Sequence, residues 1–565
     1  MSATSQTTPA AGVANDVRDV DVVILGGGVN GAGLFRELCL QGLSCLMVEA
    51  KDYGAGTSAA PSRLIHGGIK YIETGELGLV AQSTLERNLL LRNAPHCVEP
   101  LATFIPAFSL MKGAFAALRT LFGSTTAPRS RGAVLIKIGL ALYDMYGARH
   151  RVMPKHRFFW RKAALKEMPD ITPRIAAGGL YYDAKISRPE RLVYELVADG
   201  LAASTEAMAL NDTRLVAREG GVLTFENGKG QLFRARPRVV VNAAGPWIDR
   251  VNAALGVATK MIGGTKGSHI LLDNPVLVKS LKGRMIYFEA DDGRICLVFD
   301  YLGLAMVGST DMKANDPDAV RCEDEEIDYF LASLRALLPA IPVSRAQIVY
   351  AYSGIRPLPA SDASQPGLIS RDHSSPTLEP EGDRPFPIVS LVGGKWTTFR
   401  GFAEEVADTL LARLGQSRRL STRMLPIGGG RDFPADAAAR QAWIAEQARL
   451  TGLGPDRLET LLARYGTTAA SIAAAIGPSG EQMLDHVPGY SAQELAWVTA
   501  QEQVCHLADL VLRRTTLAIE GRLTRDGLRE IADVAGDVLG WEDERLKEEI
   551  EGVTRQLTTL NRVRL

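Results

Sequence analysis

The sequence predicts an α/β fold with a nucleotide-binding parallel sheet and a helical C-terminal region, on three observations. A glycine-rich turn separates an apolar strand from a helix near the N-terminus. Two later apolar strands also end in small residues, in RPRVVVNAAGPW and PIVSLVGGKWTT. Beyond about residue 430 the composition shifts to Ala, Leu, Arg and Glu at helical spacing.

Residues 1–18, rich in Ser, Thr, Ala and Gln, lack a charged n-region and an apolar h-region, and read as a disordered tail. Val20 to Leu25 is a short apolar run bounded by glycine, as a buried parallel strand is. Gly26, Gly28 and Gly31 then fill G-x-G-x-x-G: one for the turn, one for backbone approach to a pyrophosphate, one for packing helix on strand. A helix from about Asn30 to Leu43 aims its N-terminal amides at the phosphates. A second strand, Cys45 to Val48, ends on Glu49, where a carboxylate can take ribose hydroxyls. The motif alone does not separate FAD from NAD. The loop that follows, KDYGAGTSAAPSRLIHGGIKYIE, carries Thr57, Ser58, Ser62, Arg63, Leu64, His66, Gly67 and Gly68. Its small residues let the backbone pass beside an extended, buried flavin, so FAD is the expected cofactor.

RPRVVVNAAGPW brings Asn242 to Gly245, with Ala244 and Trp247, to the carboxyl edge of the sheet. In PIVSLVGGKWTTFRGF a strand meets Gly393 and Gly394, and a helix follows with Lys395, Trp396, Thr397 and Thr398 at its start. Its amides and dipole suit an anionic flavin edge. Residues 294–312 read as two strands joined at Leu302-Gly303. After LPIGGGRDFPADAAAR, a Gly/Pro linker, the chain is helical, and His506 and Asp509 there read as structural.

With 565 residues, two or three domains are expected. The chain is 46 % apolar and 23 % charged, which is globular and not disordered. Lys plus Arg (64) balances Asp plus Glu (64), so attraction to nucleic acid or a membrane needs a local patch. Six scattered cysteines without C-x-x-C spacing read as reduced thiols of a cytoplasmic protein, with no disulfide frame, zinc site or other metal cluster. No segment reaches the roughly 18 apolar residues of a spanning helix.

Taken together and in order, GGGVNGAG, TSAAPSRLIHGGIKYIE, VVNAAGPW, KGSHI, YSGIRPL and GGKWTTFR resemble the FAD-dependent, quinone-linked glycerol-3-phosphate dehydrogenases. The resemblance runs from about Val20 to Arg400 and more weakly to the C-terminus. It implies an FAD-binding domain (19–100, 170–260 and 350–412) interrupted by an antiparallel-sheet substrate domain (101–169 and 261–349), then a helical domain (425–565). It implies oxidation of sn-glycerol 3-phosphate to dihydroxyacetone phosphate, hydride passing to flavin and electrons on to a membrane quinone. A phosphate monoester needs cations beside the flavin. By resemblance, Lys70, Tyr71, Arg356, Lys395 and Thr398 bind substrate; Lys70 stands where the family's pattern has Arg, keeping the charge but not the planar fork. Histidine is the natural base near neutral pH. His269, in KGSHI, is expected to take the hydroxyl proton and to touch substrate, Arg356 to stabilise alkoxide and phosphate, and His66 to serve the flavin loop.

From Lys112 to Lys166 the chain carries twelve Lys or Arg against one acid, Asp144, interleaved with apolar residues. Ala114 to Phe122 and Ala133 to Tyr146 fit amphipathic helices lying in a bilayer interface, and Lys112 to Arg131 reads as an insertion. Peripheral attachment to the cytoplasmic face of the inner membrane, and a homodimer, are the expected contexts. The rival readings keep the fold and change partners: an oxidase using dioxygen, or a dehydrogenase of another polyol phosphate. A remote one is an FAD-containing RNA-binding or RNA-modifying protein, which net neutrality opposes; no nucleic-acid partner is expected.

Overall fold

A computed structural model describes residues 16–73, 75–110, 132–148, 152–290, 292–314, 316–360, 372–393, 395–477 and 480–565. Among them the strands form an eight-stranded sheet, a ten-stranded sheet and a two-stranded ribbon.

The eight-stranded sheet is the nucleotide-type sheet. Its first strand, β1 (Val17–Leu25), pairs in parallel with Leu232–Asn242 on one side and with β2 (Cys45–Val48) on the other. The last two residues of the expected tail therefore lie in β1, Val17 against Arg234 and Arg18 against Ala235; polar composition hid a strand whose ladder is backbone. Between β1 and β2 runs α1 (Val29–Leu40), stopped earlier than expected by the turn at Gln41 and Gly42, where Gly42 takes φ 84°. Leu34, Phe35 and Leu38 of α1 bury against Leu192 and Leu196 of the helix Pro189–Ala203. Each fully buried side chain of this kind contributes about 1.5–3 kcal/mol.

The ten-stranded sheet is mostly antiparallel, and its membership corrects the domain boundaries drawn from sequence. Val98–Ala107 and Ala177–Ile186 pair along their whole length there, and Ile348–Arg356 pairs with Thr265–Leu272. The expected boundaries put nearly all of Ala177–Ile186 and Ile348–Arg356 on the cofactor side. An apolar run tells that a strand is buried but not which sheet it joins. The hairpin at Leu302-Gly303 forms as expected, Ile295–Tyr301 against Leu304–Gly308, with φ 53° and 82° at the two turn residues.

After the linker, helices run from Ala437–Thr451 to Asp543–Thr559. Buried ion pairs fasten them to the cofactor side. Arg514 grips Asp52 through two bonds of 2.8 Å and Arg513 adds one of 2.6 Å; Arg191 holds Glu502 at 2.5 and 2.8 Å. Burial alone would raise the Asp52 pKa, but the two guanidiniums hold it well below the usual carboxylate range. All six cysteines are free thiols. Among the described residues no helix is long and apolar enough to cross a membrane.

Candidate active site

The glycine turn has the form its spacing implies. Gly26 sits at φ 114°, and a Cβ there would meet Ala243 O at 2.6 Å; one on Gly31 would meet Gly26 O at 1.9 Å. Only bare backbone lets β1, α1 and the strand ending at Asn242 converge. Gly28 caps α1, and the next amide, Val29 N, donates to Ser58 Oγ at 2.9 Å, so the small-residue loop lies over the helix start. Glu49 accepts from Gly27 N at 2.6 Å and from Lys51 N at 2.9 Å, which fixes the carboxylate at the tip of β2. Burial raises its pKa, opposed by those amide bonds. Asn30 donates to Gly393 O at 3.3 Å while its Oδ1 is buried with no protein partner. A glycine cradle beside an orphaned buried acceptor fits a bound dinucleotide.

The loop after Glu49 is stitched to both sheets. Thr57 Oγ1 donates to Ile355 O at 2.6 Å, and Trp396 Nε1 to Ser58 O at 3.2 Å. Ala244 N donates to Asn242 Oδ1, Gly245 turns at φ 56°, and Trp247 reaches Asp318 at 3.1 Å. Leu64 is buried in the second sheet. Arg63, at φ 55°, turns its guanidinium away from the turn into a buried pair with Glu190 at 2.8 Å, between the rings of Tyr301 and Tyr352. It braces the loop, and removing either partner would strand a buried charge.

His66 N donates to Thr397 Oγ1 at 3.2 Å, and Lys395 Nζ, over the Tyr71 ring at 4.5 Å, donates to Ser83 Oγ at 3.0 Å. Gly68, at φ 74°, leaves no room for a Cβ beside Tyr71. Thr398 is buried and its N–H donates to Lys395 O. Lys70 opens the short helix Lys70–Glu73; its side chain, and Gly394, lie outside the described residues.

His269 and Arg356 stand on neighbouring strands of the second sheet, in the register that pairs Gly267 with Gly354. His269 Nε2 lies 2.9 Å from Ser62 Oγ of the cofactor loop, its ring stacks on Tyr352 at 4.9 Å, and Nδ1 is buried without a partner. Burial, with Arg356 and Arg63 nearby, lowers its pKa to about 3, so the imidazole is neutral. Arg356 crosses Gly267, where a Cβ would stand 2.2 Å from its guanidinium. It donates to Asp311 Oδ1 at 3.1 Å, Ser309 Oγ at 3.2 Å and Thr310 O at 3.1 Å.

One clamp escaped the sequence reading. Gly67 N donates to Tyr143 Oη at 2.8 Å and to Asp183 Oδ1 at 3.1 Å, Arg87 pairs with Asp183 at 2.9 Å, and Tyr143 Oη also donates to Asp183. Nothing in the local patterns of four segments so far apart announces that contact.

Residues 21–408 match the family described as FAD dependent oxidoreductase, and residues 420–546 the C-terminal domain of alpha-glycerophosphate oxidase. The chain is 30 % identical over 559 residues to a glycerol-3-phosphate dehydrogenase of Synechocystis, covering 94 % of this chain and 95 % of that one. It belongs to the FAD-dependent glycerol-3-phosphate dehydrogenase family. Glycerol-3-phosphate dehydrogenase 2 of Mycobacterium bovis is 31 % identical over 541 residues, covering 92 % of this chain and 85 % of that one. The solved glycerol-3-phosphate dehydrogenase of Bacillus halodurans, complexed with FAD, shares the fold at TM-score 0.73, with 20 % identity, 96 % of this chain and 95 % of that one. FAD is the cofactor of this family member.

Proposed function

We propose that this dehydrogenase-family chain oxidises sn-glycerol 3-phosphate to dihydroxyacetone phosphate and passes the electrons to a membrane quinone. The observation that carries the reading is the hydrogen bond between His269 Nε2 and Ser62 Oγ: it sets a neutral imidazole against the loop after Glu49, with Arg356 on the next strand. FAD, when bound, would supply the acceptor for the hydride of the alcohol carbon. The hydroxyl proton goes to the His269 imidazole, which is in its neutral form near neutral pH. Arg356 and Lys395 supply the positive charge that a phosphate dianion and a developing alkoxide require. Arg356 presents a fork fixed by Asp311, and Lys395 is held buried by Ser83. Anaerobic addition of glycerol 3-phosphate to the purified yellow protein is expected to bleach the oxidised flavin band; retained colour with this substrate and bleaching by another polyol phosphate would move the substrate assignment.

The acceptor reading is supported by one surface. The helix Ala133–Tyr146 buries Ala133, Ile136, Leu140 and Tyr143. It leaves a second apolar stripe outward: Val134, Ile138, Ala141 and Met145. Ile138 is 54 % and Met145 59 % exposed. A helix apolar on both faces needs an apolar neighbour on each. Phe108, Leu110 and Trp160 are exposed too, with Arg157 and Arg161 among the cations of the basic stretch. Within that stretch, Lys112 to Arg131, which includes Ala114 to Phe122 and the insertion, and residues 149–151 lie outside the described residues. A cavity of about 630 Å³ lined by Phe108, Tyr287, Phe288, Tyr329 and Leu337 opens beside the start of the helix, where Ala133 N donates to Ser109 O. We expect Ile138→Glu with Met145→Glu to weaken sedimentation with anionic vesicles at least tenfold while bleaching by substrate is retained. Unchanged partitioning would remove the membrane reading, and loss of a dimer instead would assign the stripe to a second copy.

A further inference from the structure

One buried group takes no part in the reaction. His96 and Cys97 lie between the helix Leu77–Asn93 and the strand Val98–Ala107, and Glu195 faces them from the helix Pro189–Ala203. All three are buried, at 7 %, 1 % and 4 % exposure. His96 Nε2 stands 2.8 Å from Glu195 Oε2, and the imidazole, thiol and carboxylate ligand atoms lie within 4.8 Å of one another. Two further polar atoms there, His96 Nδ1 and Glu195 Oε1, have no hydrogen-bond partner. An ordinary His–Glu pair accounts for one contact but not for a thiol beside it or for two orphaned polar atoms, which buried side chains seldom leave.

We propose that His96, Cys97 and Glu195 form a binding site for a zinc-type divalent cation. Imidazole, thiolate and carboxylate are zinc's three protein ligand types, at about 2.0–2.3 Å from the metal. Such lengths place ligand atoms about 3–4 Å apart, so His96 Nε2 and Glu195 Oε2, 2.8 Å apart, would separate slightly while the other pairs, all within 4.8 Å, draw in. On binding, the Cys97 thiol gives up its proton, and thiolate and carboxylate together balance the two charges of the ion.

The site's position gives it a role. Gly428 of the linker lies against Glu195, so closely that a Cβ there would meet Oε2 at 2.3 Å, and Phe433 packs beside His96 with ring centroids 6.2 Å apart. Ile427 N donates to Asn93 O at 2.8 Å. A metal at this point would pin the linker to the helix pair beneath it, where the helical region departs from the cofactor side. The spacing conceals the group, because Glu195 follows His96 by 99 residues.

The test uses the FAD-loaded full chain, dialysed against micromolar zinc and then against metal-free buffer. One equivalent of zinc is expected, with an X-ray absorption first shell containing one sulfur at about 2.3 Å. Cobalt(II) in its place is expected to give tetrahedral ligand-field bands at longer wavelengths than oxidised flavin absorbs. Cys97→Ser should bind zinc at least tenfold more weakly at equal FAD content, and Glu195→Gln likewise. Substoichiometric zinc in the wild-type chain, or a shell of nitrogen and oxygen alone, overturns the proposal without any variant having to fold. Undiminished zinc in a folded Cys97→Ser chain overturns it as well.

Discussion

Replacing His269 with Gln is expected to lower turnover about 10²–10⁴-fold, the usual contribution of a positioned general base, while FAD stays bound. The amide keeps a hydrogen-bonding atom for Ser62 but cannot carry the proton away. Steady-state turnover at matched flavin content is the check, and near-normal turnover would remove His269 as base. The pH profile adds an independent readout. A base works only when deprotonated, and His269 has a pKa of about 3 because burial and the charges of Arg356 and Arg63 disfavour the imidazolium. Its neutral form is therefore complete well below pH 6.5, and the acid limb of kcat/KM assigned to it should fall below the ordinary histidine value. A limb near pH 6 that survives in the Gln variant belongs to the substrate's phosphate. The same shift makes acid destabilising. The unfolded chain protonates this histidine near 6.5 and the folded chain only near 3, so the stability present above 6.5 is lost as pH falls through that window.

Changing Arg356 to Leu is expected to raise KM and to reduce kcat about 10²–10³-fold, the scale for losing one donor aimed at developing negative charge. Arg356 is held by Asp311, Ser309 and Thr310 at the edge of the strand that faces His269's strand. A guanidinium so fixed approaches substrate without reorganising. Arg356→Lys keeps the charge and loses the fork, so it should recover part of KM but little of kcat. Kinetics unchanged while the melting temperature drops would make Arg356 a brace for the Ser309–Asp311 turn and nothing more.

Much of the cofactor site was legible because it is local. Strand, three glycines, helix and second strand are contiguous, and Gly26 and Gly31 answer backbone requirements that any chain making this turn would meet, as the close approach of Gly26 to Ala243 illustrates. The hairpin at Leu302-Gly303 was legible for the same reason: two residues with positive φ between alternating strands carry their own signal. The substrate side was read only as ordered motifs. His269 and Arg356 lie far apart in the chain, and what makes the first a neutral imidazole and the second a fixed fork is their burial and register, which no window of sequence contains.

The sequence by itself determined the glycine turn after β1, the strands that end in small residues, the reach of the helical C-terminal region and the set of charged residue types available for chemistry. All of these follow from periodicity and from conformations that only certain residues adopt. Tertiary structure alone decided which sheet the strands Ala177–Ile186 and Ile348–Arg356 join, that Arg63 pairs with Glu190 inside the protein, that Tyr143 and Asp183 clamp Gly67, and that His96, Cys97 and Glu195 meet. Each depends on pairing between distant segments. The energy of such pairing comes from burial and from satisfying polar groups away from water, quantities set by what surrounds a residue and not by its neighbours in the chain.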